Sequence, residues 1–262
     1  LAGQLIAAII VVSCGVRIDN FTIPFKENSI MINEVISYIL TIGWIVGITN
    51  AINLIDGLDG LACGISTIFF ATIGIIAFIM HNIGSLEITI TFIMLGACLG
   101  FLIFNFNPAK IFMGETGSMF LGFMISVVCL LGFKAVTLTS LVVPLLILAI
   151  PILDTLFAII RRIVNKKPIY IADKQHLHHQ LLNKKFSQRT TVLIIYAVNI
   201  LFSLASIFYV LKDQKYGIII YVILTILITW VILTTNIITD KAKLHITIPN
   251  VIKKSKNKKS EK

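Results

Sequence analysis

Long apolar stretches alternate with short polar segments along almost the whole chain. We predict a helix in each of eight stretches, near residues 2–18, 35–52, 64–82, 88–106, 118–133, 137–160, 191–211 and 216–239. Most approach the ~20 residues that a helix needs to cross the hydrocarbon core of a bilayer. No segment shows the alternation of apolar and polar positions over about ten residues that is typical of membrane β-barrel strands. The pattern therefore predicts an all-α, polytopic integral membrane helix bundle with about eight transmembrane helices.

The composition agrees with a membrane location. Hydrophobic residues make up 57% of the 262 residues and charged residues 13%, whereas soluble domains average about 25% charged residues. The apolar stretches also leave no room between them for a soluble domain of ordinary size. The cysteines form no C-x-x-C pair and lie in apolar stretches, at Cys14, Cys63, Cys98 and Cys129. Neither a disulfide framework nor a zinc site is therefore predicted.

The positive charges predict an orientation. If the chain crosses the membrane eight times, 17 of the 22 Lys and Arg residues lie on the side that carries both chain ends. Because cytoplasmic loops are enriched in Lys and Arg, we expect this side to be cytoplasmic. Residues 1–240 are predicted to form the transmembrane domain. Residues 241–262 are predicted to be a disordered basic tail beside anionic lipid; the tail has no interleaved aromatic residues, so nucleic-acid binding is not expected.

Three polar segments fall on this predicted cytoplasmic side. They are the aspartate segment NAINLIDGLDGL (residues 50–61), the glutamate segment FNPAKIFMGETGS (residues 106–118) and the histidine segment ADKQHLHHQLL (residues 172–182). Together they contain four of the twelve acidic residues and three of the five histidines. Carboxylates, amides and imidazoles gathered at one membrane surface favour a site that handles a metal ion and a phosphate.

The aspartate segment has a regular spacing. Asn50, Asn53, Asp56 and Asp59 recur every third residue, which on a helix places them along one slowly drifting stripe. A glycine follows each aspartate, so the backbone can turn sharply or approach a ligand closely. Two carboxylates and two amides suit a hard cation together with hydroxyl or phosphate groups. Ordinary helix capping would explain one of these residues but not four at regular spacing.

The glutamate and histidine segments leave more than one interpretation open. Glu115 stands at a predicted helix start, where it either stabilises the helix dipole or binds a metal. His176, His178 and His179 follow Lys174, and they suit a zinc ion, a phosphate or a solvated loop.

Asp154 lies inside an apolar stretch, where an ionisable residue is paired or functional. We expect it either to pair with Arg161 or Arg162 or to line a site.

The three segments, in this order, resemble the motifs of the polyprenyl-phosphate N-acetylhexosamine-1-phosphate transferase family. NAINLIDGLDGLACG is similar to N-x-x-N-x-x-D-G-x-D-G-L, PAKIFMGETGSMFLG to P-A-x-x-F-M-G-D-x-G-S, and ADKQHLHHQLL to D-x-x-H-x-H-H-x-L. The resemblance runs from Leu1 to about Arg189. The third motif resembles the bacterial branch that uses UDP-N-acetylglucosamine and undecaprenyl phosphate; the branch that transfers phospho-muramoyl-pentapeptide carries three adjacent histidines.

The resemblance implies a reaction at the cytoplasmic face of the bacterial plasma membrane. N-acetylglucosamine 1-phosphate would pass from UDP-N-acetylglucosamine to undecaprenyl phosphate, with release of UMP and the start of an envelope polymer such as teichoic acid. It implies Mg2+, or Mn2+ as the alternative, as cofactor. We expect direct attack by the lipid phosphate on the diphosphate, with an aspartyl-phosphate intermediate as the alternative. A homodimer also stays open. A phospho-muramoyl-pentapeptide transferase, a transporter and a non-catalytic scaffold are the alternative functions.

The resemblance also implies roles for individual residues. Asp56 and Asp59 would be catalytic, and Asp56 would hold the metal with Glu115. The substrates would contact Asn50, Asn53, Asn107, Lys174, His176, His178 and His179.

Two departures from the family pattern accompany the resemblance. Glu115 stands where the family has Asp, so the carboxylate reaches one methylene further. We expect either that activity survives or that metal preference loosens toward Mn2+. The Asp-Asp pair that the family carries upstream of a segment like LAGQLIAAII is absent. We therefore expect the chain to be an N-terminally incomplete piece of a longer enzyme, lacking two or three helices and inactive alone.

Overall fold

A computed structural model describes the chain except for residues 23–28, 81–84, 135–141, 165, 167, 169–175, 212–213 and 235–262. The described residues form ten helices and one antiparallel hairpin. The helices are α1 (Ala2–Ser13), α2 (Glu34–Ile55), α3 (Leu61–Ile79), α4 (Leu86–Asn105), α5 (Gly114–Lys134), α6 (Val142–Ile147), α7 (Ala149–Val164), α8 (Leu177–Asn183), α9 (Gln188–Leu211) and α10 (Gln214–Thr234), and the strands are β1 (Asn20–Thr22) and β2 (Ser29–Met31).

The predicted all-α membrane bundle is confirmed. Each of the eight apolar stretches contains a helix, and α2, α3, α4, α5 and α9 are long and apolar enough to cross a membrane. The sixth stretch is divided at Leu148 into α6 and α7. Pro151 explains the break, because it has no N–H to donate to the carbonyl of Ile147 and its ring crowds that turn.

The polar connection between α1 and α2 was not predicted to be ordered. α1 ends at Ser13, earlier than the sequence suggested, and β1 pairs with β2 so that Phe21 faces Ile30. Arg17 pairs with Asp19 at 2.7 Å and with Glu34 at 2.8 Å, which ties the hairpin to the start of α2. This part of the chain lies at the end of the bundle away from the three polar segments.

α3 is the central helix of the bundle, and it contacts α2, α4, α5 and α9. Its residues Ile65, Phe69 and Phe70 are fully buried. The outer helices instead expose large apolar side chains such as Ile103 on α4, which is 76% exposed. In a helix bundle of this composition, these outward apolar faces suit contact with lipid.

Small residues bring some helices unusually close. A Cβ atom on Gly122 of α5 would lie only 2.7 Å from the Cα of Thr49 on α2. α2 and α5 therefore cross with their backbones almost touching, as small residues allow in membrane bundles. The aspartate segment includes the end of α2 and the glutamate segment includes the start of α5, so this close crossing brings the two segments together.

Candidate active site

The aspartate segment spans the end of one helix and the start of the next. α2 ends at Ile55, and Asp56 and Asp59 lie in the turn before α3 rather than on a helical stripe. Gly60 has a φ of +80°, a left-handed conformation that favours glycine, and it serves as the N-cap of α3. The turn places the two carboxylates at one end of the helix bundle, between the end of α2 and the start of α3.

Asp59 is held by the glutamate segment. Its Oδ2 atom accepts hydrogen bonds from the side-chain amide of Asn107 at 2.9 Å and from the backbone N–H of Ala109 at 3.1 Å. Asn107 also donates to Gln188 at 3.0 Å and accepts from Arg189 at 2.8 Å through its backbone carbonyl. The turn after α2, the loop before α5 and the start of α9 are thus joined in one hydrogen-bond network.

A polar cavity of about 420 Å³ lies between the turn and the start of α5. Its lining includes the carboxyl-bearing residues Asp56, Asp59 and Glu115 together with Asn53 and Ser118. The Ser118 hydroxyl donates to the side-chain oxygen of Asn53 at 2.7 Å, which fixes the amide on one wall. The cavity brings acidic residues from two distant parts of the chain to one space.

Burial raises the pKa of Asp56 from 3.8 to about 6. Asp56 also follows the C-terminus of α2, where the helix dipole disfavours a negative charge. The carboxylate is therefore costly to ionise by itself, and a cation in the cavity would favour its charged form.

The donors in this cavity fit a magnesium ion that shares its coordination with substrate. Asp56 and Glu115 line the cavity from opposite segments, and Mg2+ is usually held by one or two carboxylates plus phosphate oxygens and water. Within the described residues, no three His, Cys, Asp or Glu side chains group closely enough to hold a metal by themselves. A site completed by substrate phosphates matches this donor set better than an all-protein cage.

The described part of the histidine segment begins at His176 and continues into a short helix, α8, beside the aspartate turn. The ring centroids of His176 and His178 are 5.8 Å apart, and those of His178 and His179 are 4.2 Å apart. A Cβ atom on Gly57 would lie 2.3 Å from His178 Nε2, so the imidazole rests directly on the glycine. The zinc interpretation gains no support, since the described residues contain no triad of metal-binding side chains.

His178 is a neutral base in this setting. It is 2% exposed, and neither ring nitrogen has a hydrogen-bond partner within the described part of the chain. Burial, with a further contribution from His179, lowers the pKa of His178 from 6.5 to about 4. At neutral pH the ring therefore carries one proton, and it can offer one N–H donor and one lone pair to a ligand.

Asp154 of α7 reaches the start of the histidine helix. Its carboxylate oxygens lie 2.8 Å from His176 Nδ1 and 2.9 Å from the backbone nitrogen of Leu177, and the Leu177 N–H donates to it. The sequence left Asp154 between an arginine pair and a site-lining role. The structure adds a partner that the sequence did not suggest, because His176 is 22 residues away.

The sequence also missed Tyr196. Its hydroxyl donates to the backbone carbonyl of Gly60, and a Cβ atom on Gly64 would clash with the Tyr196 ring. Two glycines four residues apart on α3 are a signal for close helix approach, but nothing in the sequence identifies α9 as the partner. Tyr196 thereby fixes the start of α3, and with it the aspartate turn.

The structure brings together most of the predicted site residues, in different positions. Asn53, Asp56, Asp59 and Glu115 line the polar cavity. Asn107 and the histidines contact this group: Asn107 binds Asp59, His178 rests on Gly57, and His176 and His179 lie against His178. Asn50 instead exchanges hydrogen bonds with Gln4. Lys174 and Asp173 lie outside the described residues.

One rim residue was not singled out by the sequence. Phe112 lines the cavity, and its side chain is 77% exposed. A second, apolar cavity lies next to the polar one. This cavity of about 270 Å³ between α3, α4 and α5 shares Met113 with the polar cavity and contains Cys63 and Phe120 in its lining. A molecule with a phosphate head and an apolar chain would find both kinds of surface within a short distance.

Comparisons of the sequence with known proteins identify a family and several relatives. The sequence profile of glycosyl transferase family 4 matches residues 1–133. The chain is 46% identical over 243 residues to the Bacillus subtilis (strain 168) protein named "Probable undecaprenyl-phosphate N-acetylglucosaminyl 1-phosphate transferase", a match that covers 92% of this chain and 66% of that protein. It is 36% identical over 214 residues to the decaprenyl-phosphate N-acetylglucosaminephosphotransferase of Mycobacterium leprae (strain TN), with 74% of this chain and 54% of that protein covered.

A third relative matches a shorter part of the chain. The phospho-N-acetylmuramoyl-pentapeptide-transferase of Staphylococcus carnosus (strain TM300) is 48% identical over 111 residues, which are 42% of this chain and 33% of that protein. The chain thus spans between half and two thirds of the length of the Bacillus subtilis and Mycobacterium leprae relatives.

Proposed function

The chain belongs to glycosyl transferase family 4, and from this premise we propose that the full-length protein transfers N-acetylglucosamine 1-phosphate from UDP-N-acetylglucosamine to undecaprenyl phosphate, releasing UMP. One observation carries the proposal: Asp56 and Glu115 come from segments about sixty residues apart and line one polar cavity at the end of a multi-pass membrane bundle. The name of the Bacillus subtilis relative contains undecaprenyl phosphate and N-acetylglucosaminyl 1-phosphate, which supports this choice of acceptor and transferred group.

The cavity's surfaces suit both substrates. Asp56, Asp59 and Glu115 would not attract a diphosphate unless a cation accompanied it, which agrees with a metal-bound nucleotide sugar. The exposed ring of Phe112 at the rim suits stacking with a nucleobase. The apolar cavity that shares Met113 supplies volume for the first part of a prenyl chain.

In the proposed reaction, a phosphate oxygen of undecaprenyl phosphate attacks the phosphorus that carries the sugar. The bond from that phosphorus to the bridging oxygen breaks, and the bridging oxygen leaves with UMP. Asp56 and Glu115 would hold Mg2+, or Mn2+, which when bound offsets the repulsion between the two anionic substrates. A two-step route through an aspartyl-phosphate is the alternative.

Three other residues, Asp59, Asn53 and His178, would shape the site around these carboxylates. Asp59 is held by Asn107 and Ala109, so its role is to fix one wall of the cavity. Asn53 lines the same cavity and is fixed by the Ser118 hydroxyl, which would hold its amide in place for a substrate. His178 is neutral at neutral pH and is buried against Gly57, so it would act on the reaction by holding the aspartate turn in place and not by charge.

The proposal extends to location and pathway position. The excess of Lys and Arg on the side of the three polar segments supports a site and a C-terminus on the cytoplasmic side of a bacterial plasma membrane. The product, a lipid-linked sugar diphosphate, would be the starter of an envelope polysaccharide such as teichoic acid.

A second candidate, phospho-muramoyl-pentapeptide transfer, rests on the Staphylococcus carnosus relative. That match covers 42% of the chain, against 92% for the Bacillus subtilis protein. Both reactions release UMP and both use a prenyl phosphate, so the donor sugar distinguishes them.

The test is UMP release by the full-length protein in membranes with undecaprenyl phosphate and Mg2+. UDP-N-acetylglucosamine and UDP-muramoyl-pentapeptide are offered separately, and EDTA is added to matched samples. We expect release with the first donor only, loss with EDTA, and loss in Asp56→Asn. Absence of UMP release by folded full-length protein with either donor would reject the proposal and favour a transporter.

A further inference from the structure

Asp154 is a buried acid on α7 whose described contacts are with the start of the histidine helix. Its side chain is among the buried polar groups, at 8% exposure. One carboxylate oxygen lies 2.8 Å from His176 Nδ1 and the other accepts from Leu177 N at 2.9 Å. Both contacts are made at the start of α8, with its N-cap residue His176 and its first residue Leu177. The Asp154 carboxylate therefore anchors this end of the helix.

α8 depends on such an anchor. It has seven residues, and helices of this length are not stable in isolation. Its N-cap residue, His176, provides no side-chain cap of its own. The Leu177 N–H, which a helix leaves without an internal partner, is satisfied by Asp154 instead. Hydrogen bonds to an ionised acceptor are about twice as strong as neutral ones, so this carboxylate is well suited to set where α8 lies.

The position of α8 decides the position of His178. Neither ring nitrogen of His178 has a hydrogen-bond partner among the described residues. The ring is therefore located by its helix and by packing against Gly57, the residue after Asp56. A shift at the start of α8 would move the imidazole away from the aspartate turn.

We propose that Asp154 is a positioning residue for catalysis, which holds His176 and the start of α8 so that His178 stays against Gly57 beside the polar cavity. This inference rests on the proposed function, since it assigns Asp154 a part in that reaction. The contact also selects the form of His176. Because the carboxylate accepts from Nδ1–H, Nε2 of a neutral His176 ring is left with its lone pair.

The test compares Asp154→Asn with Asp154→Glu in the full-length protein. Asn keeps the shape but has only one oxygen and no charge, whereas Glu keeps the charge. We expect Asp154→Asn to lower kcat/KM for UDP-N-acetylglucosamine by about 10- to 100-fold, the range found when the carboxylate partner of a metal-binding histidine is removed. Its KM for undecaprenyl phosphate should stay within about twofold of wild type, and Asp154→Glu, which keeps the charged acceptor, should recover part of the loss.

Hydrogen exchange gives a readout that needs no activity. The peptide covering residues 176–183 should exchange at least about threefold faster in Asp154→Asn, because the Leu177 amide loses a charged acceptor. The matched control is Glu87→Gln, which removes another buried carboxylate, 7% exposed, at the start of α4. It should change neither the exchange of residues 176–183 nor the donor kinetics.

Each outcome decides the proposal. Faster exchange of α8 together with a selective loss in donor kinetics supports it. Full activity of Asp154→Asn overturns it, whatever the exchange, and so does a loss of activity with unchanged exchange or with equal effects on both substrates. If wild type releases no UMP, the proposed function fails alone, and the exchange of α8 still decides whether Asp154 holds the helix.

Discussion

Replacing Gly57 with alanine puts a methyl group where the His178 ring now lies. The new Cβ atom would sit 2.3 Å from His178 Nε2 and 2.8 Å from Cε1. Non-bonded carbon atoms reach their best separation at about 3.5–4.0 Å, so the ring has to retreat by roughly 1 Å. The Gly57 backbone is not in the left-handed region, so alanine can adopt its conformation. The perturbation is therefore a displacement of the histidine with little change in the turn itself.

The expected effect is large on the reaction and small on the fold. A misplacement of about 1 Å in a catalytic constellation can lower the rate by ~10²-fold. Gly57 is exposed, and the ring can move away from the methyl group. The clash and the reduced freedom of the unfolded chain then oppose each other, which leaves a net stability change of about 1 kcal/mol or less. UMP release by Gly57→Ala should fall by about 10- to 100-fold at saturating substrates.

The assay is steady-state UMP release, normalised to folded protein by thermal unfolding in detergent. Gly100→Ala is the matched control, because a Cβ atom on Gly100 of α4 would meet nothing within 4 Å. A Gly57→Ala variant with wild-type kcat and KM would refute the reasoning, since it would mean that the contact with His178 has no part in the reaction. A collapse in thermal stability would refute the second half, the claim that the fold tolerates the methyl group.

Three further predictions follow from the same site. Burial raises the pKa of Asp56 to about 6, so ionisation destabilises the metal-free fold, and stability present below pH 4 is lost as pH rises through about 6. The full shift of the Asp56 pKa would correspond to ~3 kcal/mol, which partial solvent exposure reduces to about 1 kcal/mol. In thermal unfolding with EDTA, Asp56→Asn should be more stable than wild type at pH 8 and equally stable at pH 4. Equal stability of the two proteins at pH 8 would contradict this prediction. Glu115→Asp shortens a cavity-lining carboxylate by one methylene, so we expect UMP release with Mg2+ to rise relative to Mn2+ by about 3-fold or more, because Mg2+ demands near-ideal geometry; an unchanged metal ratio would argue against Glu115 as a ligand. Asn107→Ala removes the amide that donates to Asp59 but leaves the Ala109 N–H in place. We expect the free energy of unfolding to fall by about 1–3 kcal/mol and UMP release to decrease. Equal stability of Asn107→Ala and wild type would show that the network does not hold the turn.

The sequence by itself determined the class of fold and selected residues that the structure brings to one cavity. Hydrophobic periodicity and length report burial in a bilayer, so the eight apolar stretches all contain helices. Residue type reports chemistry, so Asn53, Asp56 and Glu115 could be selected before any geometry was known, and the structure brings all three to one cavity. Their ordered motifs also carried the family resemblance, which the family profile and the relatives confirm.

Local sequence was less informative about which of these residues face the substrate space. The regular spacing of Asn50, Asn53, Asp56 and Asp59 suggested one helical stripe. Instead, α2 ends at Ile55, and the glycines of the turn allow the chain to change direction there. Asn50 consequently bonds to Gln4, while the two aspartates move out to the cavity.

Only the tertiary structure decided the pairings across long sequence separations. Asp154 meets His176 over 22 residues, Asn107 meets Asp59 over 48, and Tyr196 meets Gly60 over 136. A sequence pattern reports how polar each position is and whether its neighbours share a helix face. Which helix packs against which is set by the fit of whole surfaces, such as Gly122 against Thr49 and Gly57 against His178. These contacts depend on atoms far apart in the chain, and so no local pattern encodes them.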